Sequence, residues 1–296
     1  MNFMKSKPVI LSIAGSDPSG GAGIQADIKT VLNFNAYPCS VISALTAQNT
    51  MGIDGIWTVD NQILELQLSS VLSDFTPDAI KIGLIRSVDS IMIIGKVLKD
   101  FQILNNIVID PILSLTLSDE TLRDDLIMAL VSELFPLATL VVPNIPEFNK
   151  IEETTGKPFI DLCSAWLLKG GHNEEDESEV VDSLFYRSYS DQTDNLPSTT
   201  FPTLNFNHSG FFNHHNYLPS FGEDFIMVQK DFSHKRINTS NSHGSGCLLS
   251  TAVACGLAKG ESLQEAVRHA VKYVDNALSH SVNYKISKGN YGPSLI

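Results

Sequence analysis

The chain has 296 residues, of which 43% are hydrophobic and 18% charged, and its formal charge is −13. That length suits one large α/β domain or two small ones, and the composition is that of an ordinary globular protein. The excess of acid argues against general binding to nucleic acid or anionic membranes, and no apolar stretch approaches the ~20 residues that span a bilayer.

In chain order, the first expected element is a strand at residues 8–14. A glycine-rich turn follows at 15–23, Gly-Ser-Asp-Pro-Ser-Gly-Gly-Ala-Gly, then a helix at 22–34 with Ile24, Ile28, Val31 and Leu32 on its apolar side. Strand, glycine turn and helix make a ligand turn at the carboxyl edge of a sheet. The turn lacks the closing Gly-Lys-Ser/Thr of a P-loop, and its spacing misses the dinucleotide fingerprint. Further strands are expected at 37–45, 79–84, 106–112, 139–143 and 165–169, and helices at 62–73, 88–101 and 119–135, with Asp60, Ser87 and Ser118 as N-caps. This alternation implies right-handed crossovers and a mostly parallel sheet with helices on both faces. Ligands of such sheets sit beyond the carboxyl ends of the strands. Asp17, Gln48, Gly83, Asp110, Asn144 and Gly170 each fall just after a strand.

Residues 173–223 break the pattern. The acidic run at 173–179 reads as a solvated loop or hairpin tip. Residues 196–222 are rich in Asn, His, Phe and Pro with little period, and His208, His214 and His215 read as scattered surface histidines because no carboxylate or cysteine stands at a ligand spacing. Beyond this stretch comes the strongest signal, Ser-His-Gly-Ser-Gly-Cys at 242–247, followed at once by an apolar helix. Gly244 and Gly246 let the backbone approach a ligand and take φ > 0. A glycine turn opening a helix, here with Ser245 between the glycines, aims N–H groups and the positive dipole end at one point. Such a turn binds an anion and stabilises charge on a phosphoryl group in flight. A thiolate is favoured at a helix mouth, so Cys247 is a candidate reactive group; the alternative is a small buried cysteine that opens a helix. Cys39, Cys163, Cys247 and Cys255 have no zinc spacing and read as free thiols of a reducing cytoplasm. The N-terminal apolar run, about seven residues, is too short for a signal peptide.

Together the two glycine turns resemble those of the hydroxymethylpyrimidine and phosphomethylpyrimidine kinases of thiamine synthesis, a branch of the ribokinase-like superfamily. Residues 41–50 (Val-Ile-Ser-Ala-Leu-Thr-Ala-Gln-Asn-Thr), Lys81-Ile82-Gly83, Asp110-Pro111, Pro143-Asn144-Ile145-Pro146-Glu147, Lys169-Gly170-Gly171-His172 and Arg236-Ile237-Asn238-Thr239 carry the likeness further. It runs over nearly the whole chain except residues 173–223. The resemblance implies a single three-layer αβα domain over 1–296, with a divergent loop or hairpin insertion near 173–223. It also implies an ATP- and Mg²⁺-dependent kinase that phosphorylates 4-amino-5-hydroxymethyl-2-methylpyrimidine and then its monophosphate. The implied partners are a small pyrimidine and ATP, with no nucleic acid and no membrane; a homodimer stays open.

The resemblance also implies roles for individual residues. Gly244, Ser245 and Gly246 would surround the moving phosphoryl group. Cys247 would be the base, where most ribokinase-like enzymes carry aspartate. Gln48 would read the ring, because a carboxamide sets an acceptor and a donor side by side, as in adenine recognition; otherwise it caps a strand end. Asp27 is placed on the substrate, although a first-turn carboxylate is also favoured by the helix dipole. Gly15 and Ala22 would line the same pocket, with Leu84 and Ile112 as apolar walls. Asp110 and Glu147 would serve Mg²⁺, and Asn144, Lys169 and Gly170 the nucleotide. For Glu147 the alternative is a helix-start acid, and for Lys169 a solvated strand-end lysine. Two departures stand out: no lysine follows Asp110-Pro111, where the family carries Lys-Ser-Gly, and Leu84-Ile85 replaces Met-Leu. The first predicts a second phosphorylation slower than the first. Two rivals remain. The Ala-Gln-Asn-Thr context of Gln48 opposes a pyridoxal or pyridoxine kinase, and the intact 244–247 loop opposes a degenerate ligand-binding protein.

Overall fold

Strand β1 (Val9–Ser16) shows how the sequence divides the molecule into layers. Successive side chains of a strand point to opposite faces. Ile10 accordingly joins one apolar cluster, while Leu11 and Ile13 join the other. A computed structural model describes residues 7–103, 105–113, 124–172, 178–189, 204–206, 212–214 and 225–289. In it β1 lies between β2 (Tyr37–Asn49) and β4 (Ala79–Ile82), parallel to both. The parallel run continues through β5 (Ile107–Ile109), β6 (Leu140–Val141) and β7 (Ala165–Leu168). Antiparallel strands close both edges: β3 (Gly52–Thr58) beside β2, and the pair β8 (Glu179–Tyr189) and β11 (Phe225–Lys235) beside β7. The nine-stranded order is β11-β8-β7-β6-β5-β4-β1-β2-β3. A separate two-stranded ladder joins β9 (Leu204–Phe206) to β10 (Phe212–His214).

Helices cover both faces. On one lie α1 (Gly23–Asn33), α6 (Ser245–Ala258) and α7 (Leu263–Ser281). On the other lie α2 (Asn61–Leu72), α3 (Val88–Asp100), α4 (Asp124–Ala129) and α5 (Ile145–Thr155). The central strands are apolar throughout because they are buried on both sides; Ala79–Ile82 and Ile107–Ile109 have no exposed residue. Helix α6 is apolar all round for the same reason, and every residue from Cys247 to Leu257 is buried. The chain leaves β1 toward β2 over one face and returns to β4 over the other. This reversal makes the carboxyl end of β1 the switch point where ligands of open α/β sheets bind.

The expected three-layer α/β architecture is present, and Asp60 and Ser87 are the N-caps of α2 and α3. Several boundaries differ from the expectation. Strand β3 was not expected: Gly52 and Gly55 interrupt its apolar period, and the strand is an edge that is largely open to solvent. Its pairing extends β2 to Asn49, four residues beyond the expected end. The helix expected at 119–135 is described only from Asp124. Past Ala129 it loosens into a π turn, Leu130–Leu134, and a 3₁₀ turn, Phe135–Leu137. Ser118 and residues 119–123 lie outside the described residues. Part of the 173–223 stretch joins the main sheet: β8 pairs with β11 from Glu179–Lys235 to Tyr189–Phe225, and Phe185 stacks on Trp166 at 4.9 Å. His208 and His215 lie outside the described residues, and His214 ends β10. Among the described residues no helix is long and apolar enough to cross a membrane.

A half-buried histidine fastens the β8–β11 pair to the helical layer. His234 Nδ1 stands 2.7 Å from Asp275 Oδ1 on α7, and Nε2 stands 3.5 Å from Asp182 Oδ2 on β8. Burial opposes its charge, but the two carboxylates outweigh burial and raise its pKa from 6.5 to about 9. A folded state that binds the proton more tightly gains stability fully below pH 6.5 and loses it as pH rises through 9. Urea denaturation should therefore show wild type losing more stability between pH 7 and 10 than His234→Asn. Parallel pH profiles for the two proteins would refute the linkage.

Candidate active site

Two glycine turns from distant parts of the chain pack against each other at the switch point. Gly244 has φ +83, and a Cβ there would lie 1.8 Å from the carbonyl oxygen of Gly21 and 3.1 Å from Cα of Ala22. The first turn also closes on itself: Gly23 has φ +57, and its Cβ would stand 2.2 Å from Gly15 O. Only glycine satisfies both the backbone angle and the close approach at these two positions. Gly244 is the N-cap of α6 and makes no side-chain cap bond. Ser245 N donates to Ser242 O and Leu248 N to Gly244 O, whereas the N–H groups of Gly246 and Cys247 have no acceptor among the described residues. This leaves two amide donors at the positive end of a 14-residue helix.

Beneath this turn lies a buried ion pair. Lys81 and Asp27 are both 0% exposed, and Lys81 Nζ is 3.0 and 2.9 Å from the two carboxylate oxygens. Ser12 and Thr251 donate to the same carboxylate at 2.5 and 2.7 Å. Asp27 therefore spends both oxygens inside the protein and binds β1, β4 and α6 together. Its expected place on the substrate is not where the structure puts its charge. Despite its burial, Lys81 is held above its ordinary pKa by Asp27, with Cys247 and Asp110 adding to the effect.

Cys247 sits over this pair, also buried. Its depth works against the thiolate expected at a helix mouth. Burial pushes the thiol up to about 11; Lys81 opposes the shift, Asp27 and Asp110 add to it, and the amide of Gly23 opposes it weakly. The helix end favours the anion, but taking it out of water costs more.

A second charged group lies on the other side of α6. Lys169 Nζ contacts Asp110 Oδ1 at 2.9 Å and Glu147 Oε2 at 3.7 Å, and Ser250 Oγ donates to Asp110 Oδ2 at 3.2 Å. A Cβ on Gly246 would stand 3.5 Å from Lys169 Nζ and 3.8 Å from Asp110 Oδ2, so the amide turn looks onto this group. Although burial lowers the Lys169 pKa, Asp110 and Glu147 outweigh it and hold the lysine above its ordinary value. Burial raises Glu147, Lys169 opposes the shift, and Asp110 adds to it. Asn144 and Glu147 also form a capping box on α5, each side chain accepting the other's N–H at 2.8 Å. Glu147 is thus both a helix-start acid and part of the charged group. Gly170 has no spare donor: its N–H goes to Asp182 Oδ1 at 2.8 Å, and its own Cβ would collide with Val181 O at 2.0 Å. It serves the turn between β7 and β8.

Around the mouth, Leu84 packs on Gly15, and its Cδ2 would be 3.1 Å from a Cβ there. Ile112 joins the α6 cluster. Gln48 follows a bulge in β2, between Ala47 and Gln48; bulges of this kind re-aim a side chain. Its carboxamide reaches His243 Nε2 at 3.1 Å and Thr46 Oγ1 at 3.2 Å, and His243 Nε2 reaches Asp17 Oδ2 at 2.9 Å. The structure thus brings Gln48, both glycine turns, Cys247, Asp110, Glu147 and Lys169 to one end of the sheet, and it turns Asp27 and Gly170 inward.

A family model described as phosphomethylpyrimidine kinase matches residues 17–210 and 222–293. The chain belongs to the phosphomethylpyrimidine kinase family. It is 35% identical over 297 residues to a hydroxymethylpyrimidine/phosphomethylpyrimidine kinase of Rhizobium meliloti, covering 96% of this chain and 95% of that one. It is 33% identical over 298 residues to a probable thiamine biosynthetic bifunctional enzyme of rice, covering 97% of this chain but 47% of the relative. Among solved structures, the phosphomethylpyrimidine kinase of Clostridium difficile superposes with a TM-score of 0.66 at 29% identity, covering 92% of this chain and 100% of that one. The pyridoxal kinase of Bacillus subtilis, solved as an ADP complex, gives 0.73 at 25% identity, with 98% and 97% covered. The fold of this family member is ribokinase-like, and the chain is a phosphotransferase.

Sequence reasoning did not assign a role to Lys81, His243, Asp17, Ser250 or Thr251. Lys81 carried a readable signal, a lysine within an otherwise apolar strand, and Thr251 stands one helical turn beyond Cys247. Among the described residues no three His, Cys, Asp or Glu side chains cluster as a metal cage. Asp110 already accepts on both oxygens, from Lys169 and Ser250, and Glu147 accepts on Oε2 from Asn144 N. That pair suits an ion that keeps most of its waters and takes its remaining ligands from phosphates.

Proposed function

We propose that the protein transfers the terminal phosphoryl group of ATP to the hydroxymethyl oxygen of 4-amino-5-hydroxymethyl-2-methylpyrimidine, and then to the monophosphate, for thiamine diphosphate synthesis. The observation that carries this reading is the pair of acceptor-free amides, Gly246 and Cys247, opposite Lys169 and Asp110 and beside the first glycine turn. The relatives named as hydroxymethylpyrimidine/phosphomethylpyrimidine kinases support the substrate. The family match runs over residues 17–210 and resumes at 222, which supports one domain and leaves only residues 211–221 of the 173–223 stretch outside the family pattern. The free, buried cysteines suit a reducing cytoplasm.

Each group then has a task. Gln48 holds the ring between Leu84 and Ile112. The Gly246 and Cys247 amides receive the phosphoryl oxygens as charge develops on them. Lys169 adds positive potential, and Ser250 and Lys169 keep Asp110 oriented. Asp110 and Glu147 would hold Mg²⁺ through water, and the ion would neutralise phosphate charge. In its thiolate form Cys247 Sγ takes the hydroxyl proton and becomes the thiol, as the new O–P bond forms and the bond to the leaving ADP oxygen breaks. Asp27 and Lys81 position Cys247 from below.

A coupled ADP-release assay over pyrimidine and pyridine alcohols tests this. The aminopyrimidine alcohol should exceed pyridoxal by about tenfold or more in kcat/KM; preference for pyridoxal would overturn the substrate. The second transfer brings a phosphate monoester to a triphosphate, and like charges in a dry site repel by several kcal/mol, on the order of magnitude. Lys169 is already shared by two carboxylates. The stretch after Asp110-Pro111 has no lysine, and its residues from 114 lie outside the described ones. A ³¹P time course should show monophosphate accumulating before diphosphate. Diphosphate formed without that build-up would show that another cation serves the second step.

A further inference from the structure

One ring nitrogen, His243 Nε2, faces both Asp17 Oδ2 at 2.9 Å and the Gln48 carboxamide at 3.1 Å. Asp17 accepts on every side. Ser19 N donates to Oδ1 at 2.8 Å and Ala22 N to Oδ2 at 2.9 Å. Burial alone would raise its pKa, but the bonds from His243 and Ser19 outweigh burial and hold it below the ordinary value. A carboxylate of this kind offers only lone pairs, so the proton between it and His243 belongs to Nε2. An Nε2–H cannot also accept from an amide NH₂. Nitrogen and oxygen of a carboxamide are told apart only by their partners; with Gln48 Nε2 placed toward His243, an N–H would face an N–H, whereas the opposite placement lets the single Nε2–H be shared between Asp17 Oδ2 and the carboxamide oxygen. Thr46 makes the complementary demand. Thr46 Oγ1 stands 2.9 Å from Ser16 O and 3.2 Å from Gln48 Oε1; with its one proton on the nearer Ser16 O, the hydroxyl is left to accept, which the carboxamide meets when its NH₂ takes that place.

We infer that His243, held by Asp17, and Thr46 lock the Gln48 carboxamide with its oxygen toward His243 and its NH₂ toward Thr46, and that this orientation decides which way round the pyrimidine binds. The inference rests on the aminopyrimidine-kinase reading above. Each end of the locked amide keeps one site for the ring, a lone pair beside His243 and an N–H beside Thr46. An aminopyrimidine places its exocyclic amine on the oxygen and its ring nitrogen on the NH₂. The amine is then on the His243 side, the side of Gly244. In this substrate the carbon bearing the amine lies between the ring nitrogen and the carbon bearing the hydroxymethyl group. With the amine toward His243, the hydroxymethyl group lies further along, toward the 244–247 turn. The opposite amide orientation would turn the hydroxymethyl group away from the phosphoryl donors. His243 and Asp17 are thus positioning residues for ring polarity, which neither glycine turn specifies.

Two measurements test the lock. In ¹⁵N-labelled protein without ligand, long-range ¹H–¹⁵N correlations of His243, assigned by comparison with His243→Phe, should show a proton on Nε2. A bare Nε2 would overturn the lock whatever the enzyme turns over. Next, the 4-amino substrate is compared with its 4-oxo lactam, in which donor and acceptor are exchanged. Wild type should prefer the amine. Folded His243→Phe should lose about tenfold or more of that preference, on the scale of one bidentate contact, through KM for the ring and not KM for ATP. Asp17→Asn can donate to the ring nitrogen and should shift preference in the same direction. An unchanged preference in either folded variant would overturn the role in polarity. A protonated Nε2 in an enzyme that accepts neither ring would sink the substrate reading and leave the lock standing.

Discussion

Replacing Lys81 by methionine should destabilise the protein by about 3–5 kcal/mol, the cost of leaving a buried partner charge uncompensated. Asp27 is fully buried, and after the change only Ser12 and Thr251 would serve its carboxylate. Asp27→Leu added to Lys81→Met should recover most of the loss, since a buried pair exchanged for well-packed apolar groups is often neutral. Urea denaturation of the two single variants and the double variant measures this. A Lys81→Met protein within about 1 kcal/mol of wild type, the range of an ordinary exposed pair, would show that the pair is not an isolated buried charge system. Recovery of stability without recovery of activity would separate the pair's packing role from its influence on Cys247.

Cys247→Ala should lower kcat of the first transfer by about 10²-fold or more, the scale of a lost general base, with little change in ring affinity. Because burial lifts the thiol to about 11, the thiolate is scarce at neutral pH and grows tenfold per pH unit below that value. Wild-type kcat should therefore climb from pH 7 toward pH 10, and the climb should be absent in Cys247→Ala. Thiolate absorbance, taken as wild type minus Cys247→Ser, should appear only near the top of that range. A flat wild-type profile together with near-normal kcat in Cys247→Ala would leave catalysis to the amides of the turn.

The features legible in the sequence were those that one segment imposes by itself. Gly23 and Gly244 need positive φ and close approach, so their positions announced the two turns. The apolar runs of β1 and α6 announced the layers. What was not legible depends on neighbours far away in sequence. Lys81 reads locally as a strand residue with a solvated tip, and only Asp27, brought beside it by the β1–β4 pairing, makes it an interior cation. The helix mouth argued for a thiolate at Cys247, and the depth of burial that reverses the argument is set by the layers above and below. Glu147 caps α5 and also faces Lys169, so no local signal separated the helix-start acid from the member of a charged group. Strand β3 stayed hidden because its stabilisation comes from the β2 ladder and not from its own period.

The contact between Gly21 and Gly244 has a consequence during synthesis. One half of the phosphate cradle emerges from the ribosome well before the other, and neither turn can close on a ligand alone. A nascent chain therefore carries β1 and α1 with a face that only α6 and α7 cover. Closure of so long a loop comes late, because its entropy must be overcome before the contact contributes. Catalytic competence becomes a report on complete folding: any truncated or stalled product lacking α6 exposes that apolar face and transfers no phosphoryl group.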